Sequence, residues 1–252
     1  YDLKNTLWVR LDRKKKFLAT VFLRALGFGA DEEIIRLFYR VYKVIPEEGT
    51  LYWEVTDRLV GKTVAEDVLS ARSRAVLAPG KKKLTEEALQ KLKEHGVAKV
   101  PLVKKELVGA VSMIPLKAKG KAHEEIAEEH LAALTEKGEP FEVYYPEQDA
   151  AGPIIAATLK KDLRKDQSQA LAEIYRKLRP GEPHTMESAH ALFHNLFFNP
   201  QKFNFSRIGR LKMNIKLGLQ TSLDDKVLAP LDYVEVLKYL LRLRNGEGET
   251  DD

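Results

Sequence analysis

Cysteine is absent from this 252-residue chain. Its absence excludes disulfide scaffolds, thiolate zinc sites and cysteine nucleophiles. No apolar run approaches the roughly 18 residues that a membrane-spanning helix needs, and no secretory signal opens the sequence. The sequence also lacks a Walker loop, a dinucleotide-binding glycine motif and a serine-hydrolase elbow. The functions that depend on these motifs are therefore not predicted.

Charge is plentiful but unevenly placed. The chain has 42 Lys and Arg against 37 Asp and Glu, with 44% hydrophobic residues, which is typical of a globular protein. Residues 101–150 hold six basic and ten acidic side chains, whereas residues 156–216 hold twelve basic and five acidic ones. This asymmetry predicts two modules with different partners. The alternative is that two solvated faces simply differ in sign.

Apolar periodicity predicts an α+β protein with a discontinuous first domain. Helical stripes dominate residues 1–43 and 153–252, which we assign to one mainly helical lobe. Residues 44–152 alternate short β-like runs with turns and form a β-rich α+β module inserted in the middle. Within it we expect helices over residues 85–95 and 123–136, strands over 51–55 and 63–68, and an exit linker from residue 144.

Candidate catalytic and metal-binding residues are few. His190 and His194 are four residues apart on one predicted helix, which is a metal-ligand spacing. The segment lacks the glutamate of the zincin motif, and no third ligand follows nearby. We therefore interpret both as ordinary, partly exposed histidines and predict no catalytic constellation.

Basic residues give a stronger signal. Arg179 directly precedes a helix-breaking Pro-Gly-Glu-Pro segment, where Glu182 is placed to orient it. Lys202 and Arg210 follow in a segment that also contains aromatic residues, and residues 13–16 form a second basic cluster. Cations interleaved with rings suit a nucleic-acid backbone and its bases. The alternative, which the residues alone favour, is an aromatic core with a solvated basic rim.

Five motifs, in one order, resemble the lobe of the β subunit of bacterial RNA polymerase. They cover about half of the chain, at its two ends. These motifs are the opening Asn5–Gly27 segment, the Gly152–Leu159 segment, the most specific run Glu173–Pro183, the pair Leu192–Phe198 and Ile208–Asn214, and the closing Leu241–Gly246 segment with Asp251 and Asp252. Residues 44–152 more loosely resemble a lineage-specific insertion found in other β subunits.

This resemblance implies a role in transcription as part of a DNA-directed RNA polymerase, which is a nucleotidyltransferase. In that family the lobe forms one wall of the downstream DNA cleft and lies beside the non-template strand. The DNA-binding residues implied here are Arg179 and Lys202, then Arg13, Lys14 and Lys15, with Arg210 in the same basic set. Lysine stands at positions 14 and 202, where arginine is common, which keeps the charge and loses bidentate geometry.

The resemblance also implies what this segment does not do alone. It carries no catalytic residue, no metal ligand and no cofactor, because the catalytic aspartates belong to a partner subunit. Its expected partners are DNA and the β′ and α subunits, in the cytoplasm and away from membranes. Because the chain begins at Tyr1 and ends without a clear cap, we expect it to be part of a longer polypeptide.

A second function stays open from the sequence. The acidic segment 101–150 and the strand edges of the insert would suit a docking platform for sigma or another transcription regulator. A stand-alone enzyme is a third possibility, which any turnover by the purified chain would favour.

Overall fold

Helices and strands are unevenly distributed along the chain in the computed structural model, which describes residues 5–12, 14–71, 73–116, 122–136, 138–183, 185–202 and 204–250. The helices are α1 Ala19–Ala25, α2 Asp31–Phe38, α3 Glu86–Glu94, α4 His130–Glu136, α5 Ile154–Lys161, α6 Gln167–Leu178, α7 Met186–Phe197, α8 Arg207–Leu217 and α9 Pro230–Arg244. The strands are β1 Trp8–Asp12, β2 Lys15–Leu18, β3 Val41–Glu47, β4 Thr50–Glu54, β5 Val68–Leu69, β6 Val76–Ala78, β7 Lys99–Pro101, β8 Val111–Ser112 and β9 Phe141–Tyr144. The predicted α+β class is confirmed.

Backbone contacts divide the chain into two units. The first unit combines the chain up to Phe38 with the chain from Glu147 onward, and the second unit, here called the insert, is Tyr39–Pro146. The boundaries predicted from the sequence, at residues 43 and 153, lie a few residues later on each side. The insert holds 18 basic and 17 acidic side chains, so the acidity expected of residues 101–150 is balanced within the unit.

Helix α1 forms the centre of the first unit. All of its residues are buried, and it packs against α5 and α6. The ring of Phe22 meets Phe193, Phe197 and Tyr233 at centroid distances of 6.0, 5.2 and 5.5 Å. These edge-on and tilted ring contacts join α1 to α7 and α9.

A buried arginine also holds this core together. Arg24 is 0% exposed, and its Nε donates to Asp162 Oδ2 at 3.1 Å. The same guanidinium pairs with Asp31, in the first turn of α2, and with the carbonyl oxygen of Gly29. A buried guanidinium is tolerated because carboxylates and carbonyls accept its protons.

The insert is built on a five-stranded antiparallel sheet in the order β7-β4-β3-β9-β8. Its core includes the fully buried Trp53, with α3 packed near β6 and α4 near β3. Thr85 caps α3 as its side chain accepts from Ala88 N at 3.2 Å, which confirms the helix predicted over residues 85–95.

Three local predictions for the insert were wrong. The helix expected over residues 123–136 begins only at His130, because Ile126 instead exchanges backbone hydrogen bonds with Gly109 and Ala110. The linker expected from residue 144 begins inside β9, where Tyr144 pairs with Val41. The strand expected over residues 63–68 is reduced to isolated bridges and the short β5.

Both edges of the five-stranded sheet are covered. Next to β7, Ala65 N donates to Pro101 O at 2.8 Å, and next to β8, Ser112 N donates to Glu124 O at 3.0 Å. A covered edge offers no free ladder for an added strand. The outer edges of this sheet are therefore not open to an added strand at these positions, and recruitment of a partner by the insert stays a prediction. Among the described helices, none has the length and apolar content needed to cross a membrane.

Candidate nucleic-acid interface

A short hairpin carries the first basic cluster. Strands β1 and β2 pair antiparallel, with Asp12 opposite Lys15. Lys14 lies exposed at the turn, and Lys15 is half-buried. The Nζ atom of Lys15 lies 3.5 Å from the carbonyl oxygen of Leu178, at the end of α6. The hairpin is therefore held beside the residue that precedes Arg179.

Arg179 is positioned by the end of α6. Its backbone N–H donates to Tyr175 O at 2.7 Å, and Gly181 then turns the chain with φ +87°. The Arg179 side chain is 56% exposed, with its Nη1 3.4 Å from Glu182 Oε1. Tyr175 donates its hydroxyl to the other Glu182 oxygen at 3.3 Å. The expected pairing with Glu182 is thus present as one long contact, and the guanidinium keeps donors for another acceptor.

Lys177 joins the same end of α6. Its Nζ lies 2.8 Å from Glu173 Oε1 and 4.8 Å from the ring centre of the buried Phe17 in β2. Lys15, Lys177 and Arg179, with Lys14 at the adjoining hairpin turn, form what we call the hairpin–helix cluster. It brings residues from the two distant ends of the sequence onto one surface.

Lys202 lies away from this cluster. It follows α7 in a turn in which its N–H donates to Asn199 O at 3.0 Å, and its side chain is exposed. Helices α6 and α7 run antiparallel, since Gln167 at the start of α6 and Phe198 after α7 line one pocket. Each helix has 12 residues, or about 18 Å of axis. Lys202 is therefore at the opposite end of the helix pair from Arg179.

Arg210 does not belong to an accessible basic surface. It is 0% exposed, and its Nη1 donates to Asp232 Oδ2 at 2.7 Å. Its Nη2 donates to Val227 O at 2.9 Å, and its Nε lies 3.3 Å from Asp225 O. Because these acceptors occupy the guanidinium, the prediction that Arg210 binds DNA is corrected to a structural role. Arg13 lies outside the described residues.

The first unit also has a basic groove that was not predicted from the sequence. It has a volume of about 510 Å³ and is lined by Arg164, Gln169, Ala172, Glu173, Arg176 and Lys177. Glu173 forms ion pairs with Arg164, Nε to Oε2 2.7 Å, and with Lys177, Nζ to Oε1 2.8 Å. The i,i+4 spacing of Glu173 and Lys177 is visible in the sequence. Arg164 has no such signal because it reaches Glu173 from outside the helix.

The two histidines of α7 lie in a pocket on the same unit. Within the described ranges, no three His, Asp or Glu side chains are grouped so that they could hold a metal ion. His190 and His194 instead line a cavity of about 240 Å³ with aromatic and aliphatic neighbours.

The second half of the chain matches a known domain family. Residues 150–252 match the family described as RNA polymerase Rpb2, domain 2. This match covers most of the first unit, including α6, α7, Arg179 and Lys202. The class is thus a domain of an RNA polymerase.

Relatives along the whole chain make the assignment more specific. The DNA-directed RNA polymerase subunit beta of Solibacter usitatus is 42% identical over 262 aligned residues, and that of Koribacter versatilis is 39% identical over 268. The corresponding subunit of Syntrophotalea carbinolica is 37% identical over 260. The chain belongs to the family of bacterial RNA polymerase β subunits.

The alignments cover 100% of this chain but only 18% to 19% of each of these relatives. The chain therefore spans about a fifth of their length. Because the whole chain is aligned, the insert also has equivalent residues in these relatives.

Proposed function

We propose that this chain is the lobe segment of the β subunit of a bacterial DNA-directed RNA polymerase. In this proposal the first unit forms a wall of the downstream DNA cleft and guides the displaced non-template strand. It contributes no catalytic residue to nucleotidyl transfer, and its partners are DNA and the other polymerase subunits.

The hairpin–helix cluster is the observation that carries the proposal. Lys15, Lys177 and Arg179 lie at one end of α6, with Lys14 in the adjoining hairpin turn, in a unit whose sequence matches an RNA polymerase domain. Exposed Lys and Arg side chains neutralise phosphates without reading the base sequence. A guiding surface needs this kind of contact, because every transcribed sequence must pass along it.

Arg179 has the geometry expected of a phosphate contact. Its side chain is half-exposed, and a single long contact with Glu182 orients it without occupying all of its donors. Glu182 is in turn held by Tyr175. A phosphate oxygen therefore competes only with one exposed ion pair, which typically contributes about 1 kcal/mol or less.

The test is the salt dependence of binding to a single-stranded oligonucleotide. The log of the binding constant falls with the log of the salt concentration, and losing one phosphate contact makes this slope less steep by about 0.7. That corresponds to about fivefold weaker binding near 0.1 M salt. We expect this result for Arg179→Ala and a smaller loss for Arg179→Lys, which keeps the charge.

Arg58→Ala is the matched control, because Arg58 is an exposed arginine in the insert. It should leave both the affinity and the slope unchanged. Binding that ignores salt, or an equal loss in the Arg58 and Arg179 variants, would contradict the proposal.

The insert carries a second candidate function, the docking of a protein regulator. Leu69 and Val76 pair across the β5–β6 ribbon and are 50% and 52% exposed. An exposed apolar pair of this kind suits a protein contact more than a nucleic acid. Leu69→Ser with Val76→Ser should weaken capture of sigma or a regulator by the assembled polymerase. Unchanged capture of every such partner would count against this function.

A further inference from the structure

The basic groove beside α6 combines three cations with one carboxylate. Its charged lining residues are Arg164, Glu173, Arg176 and Lys177. The side chains of Arg164 and Lys177 are 38% and 47% exposed, and Arg176 is also exposed. Because three positive groups share the lining with a single negative one, the groove carries an excess of positive charge. Such a concave, basic surface attracts an anion.

The shape of the groove follows from the spacing of its residues on α6. Gln169, Ala172, Glu173 and Arg176 lie on one face of the helix, and Ala172 is the smallest residue of the lining. A short side chain between longer ones leaves the space above it open. The volume is about 510 Å³, whereas one water molecule takes up about 30 Å³ in the liquid. The groove therefore has room for several linked phosphate groups.

Two of the cations are held in place by neighbouring protein groups. Arg164 Nε lies 2.7 Å from Glu173 Oε2, and the backbone N–H of Arg164 donates to the buried Asp162 at 2.9 Å. Lys177 Nζ lies 2.8 Å from Glu173 Oε1 and 4.8 Å from the ring centre of Phe17. Because both cations contact the same carboxylate, their charged ends are close together before any ligand binds. Cations that are already in place cost less ordering on binding.

We propose that the basic groove binds the phosphate chain of a small molecule, with Arg164, Arg176 and Lys177 on its oxygens. Guanidinium groups match the geometry of phosphate oxygens. Closely grouped cations suit two or three directly linked phosphates, because such a chain concentrates more charge than the spaced phosphodiesters of a strand. The inference goes beyond the proposed function and does not depend on it.

The test measures binding of inorganic tripolyphosphate to the full chain by isothermal titration calorimetry at fixed ionic strength. The first variant is Arg164→Met, which removes one cation of the groove. Its control is Arg36→Met, which removes the same charge from an exposed position on α2 of the same unit. The second variant is Ala172→Leu, which fills the groove and leaves the charge unchanged. Circular dichroism checks that each variant is folded.

A hydrogen bond to a charged group is worth about tenfold or more in affinity. We expect Arg164→Met and Ala172→Leu each to weaken tripolyphosphate binding by about this factor, and Arg36→Met to leave it unchanged. Adenosine triphosphate is titrated in parallel to identify the source of the phosphate chain. Tighter binding of tripolyphosphate would indicate an inorganic phosphate chain, and tighter binding of adenosine triphosphate would indicate a nucleotide.

Three outcomes would overturn this proposal. The first is the absence of saturable binding of both probes. The second is an equal loss in the Arg36 and Arg164 variants, or full affinity in a folded Ala172→Leu variant, since binding would then depend on net charge and not on the groove. The third is weaker binding of a short DNA strand by the two groove variants while tripolyphosphate does not bind, which would assign the groove to the strand. Failure of the Arg179 salt test alone would overturn the proposed function and not this site.

Discussion

Replacing Arg210 should destabilise the first unit strongly. Arg210 and Asp232 are 0% and 1% exposed at their side chains and lie 2.7 Å apart, Nη1 to Oδ2. Removing the guanidinium leaves the Asp232 carboxylate buried without its cation and leaves the carbonyl oxygens of Asp225 and Val227 without their donor. Breaking one side of a buried pair typically costs about 3–5 kcal/mol. We expect Arg210→Met to lower the free energy of unfolding of the first unit by this amount.

The magnitude can be checked by removing the second charge. Asp232 Oδ2 also accepts from Ala229 N at 2.7 Å, at the start of α9. Asn at position 232 keeps an oxygen for this cap and removes the unpaired charge. The double variant Arg210→Met with Asp232→Asn should therefore be more stable than Arg210→Met alone.

Each unit contains one of the two tryptophans, so tryptophan fluorescence can follow the unfolding of each unit separately. Trp8 lies in β1 of the first unit and Trp53 lies in the insert. In a Trp53→Phe background, Trp8 fluorescence follows urea unfolding of the first unit. With a slope of about 2 kcal/mol per molar urea, the expected loss moves the midpoint by roughly 1.5–2.5 M. An unchanged midpoint together with weaker DNA binding would refute the structural role and return Arg210 to the DNA-binding set.

The insert yields two further predictions. Lys62 is buried, with its Nζ 3.4 Å from the ring centre of Tyr145 and 4.4 Å from that of Tyr42. Lys62→Ala should therefore lower the free energy of unfolding by about 2–4 kcal/mol, measured from Trp53 fluorescence in urea. An unchanged free energy of unfolding would show that the ring contacts contribute nothing to stability. Burial, followed by the charge of Glu106, raises the pKa of Tyr145, whose hydroxyl donates to Glu106 O at 2.8 Å. The unfolded tyrosine ionises first, so this stabilisation is complete below about pH 10 and is lost as the pH rises from there towards the folded pKa, by at most about 1.4 kcal/mol per pH unit. Tyr145→Phe should flatten this alkaline loss, and an equally steep loss in the variant would assign it to other groups.

Much of the helical part of the fold was predictable because its signals are local. Thr85 and Thr185 cap their helices through their own side chains, which accept from the backbone N–H three residues later. Pro230 begins α9, as expected of a proline in a first turn. These signals need only neighbouring residues, so one sequence is enough to find them.

The errors arose where a residue depends on distant partners. The burial of Arg210 requires Asp232, 22 residues away, and nothing near Arg210 marks it as buried. Ile126 fits a helical stripe, yet its backbone bonds to residues 109 and 110 keep it out of the helix. Lys15 and Arg179 are more than 160 residues apart in the sequence. The sequence therefore indicates each of them as a basic candidate residue, but it does not predict that they lie close together. For the candidate site, residue type was thus predictable, and accessibility was not.

The pairing of β3 with β9 has a consequence for how such a chain can change over time. Val41 and Tyr144 lie directly opposite each other on these antiparallel strands, so the polypeptide enters and leaves the insert at points only about 5 Å apart. A module with adjacent ends can be gained, lost or exchanged by joining two nearby backbone points, with little loop entropy to overcome. The insert can therefore be gained or lost during evolution without a change in the backbone path of the surrounding unit.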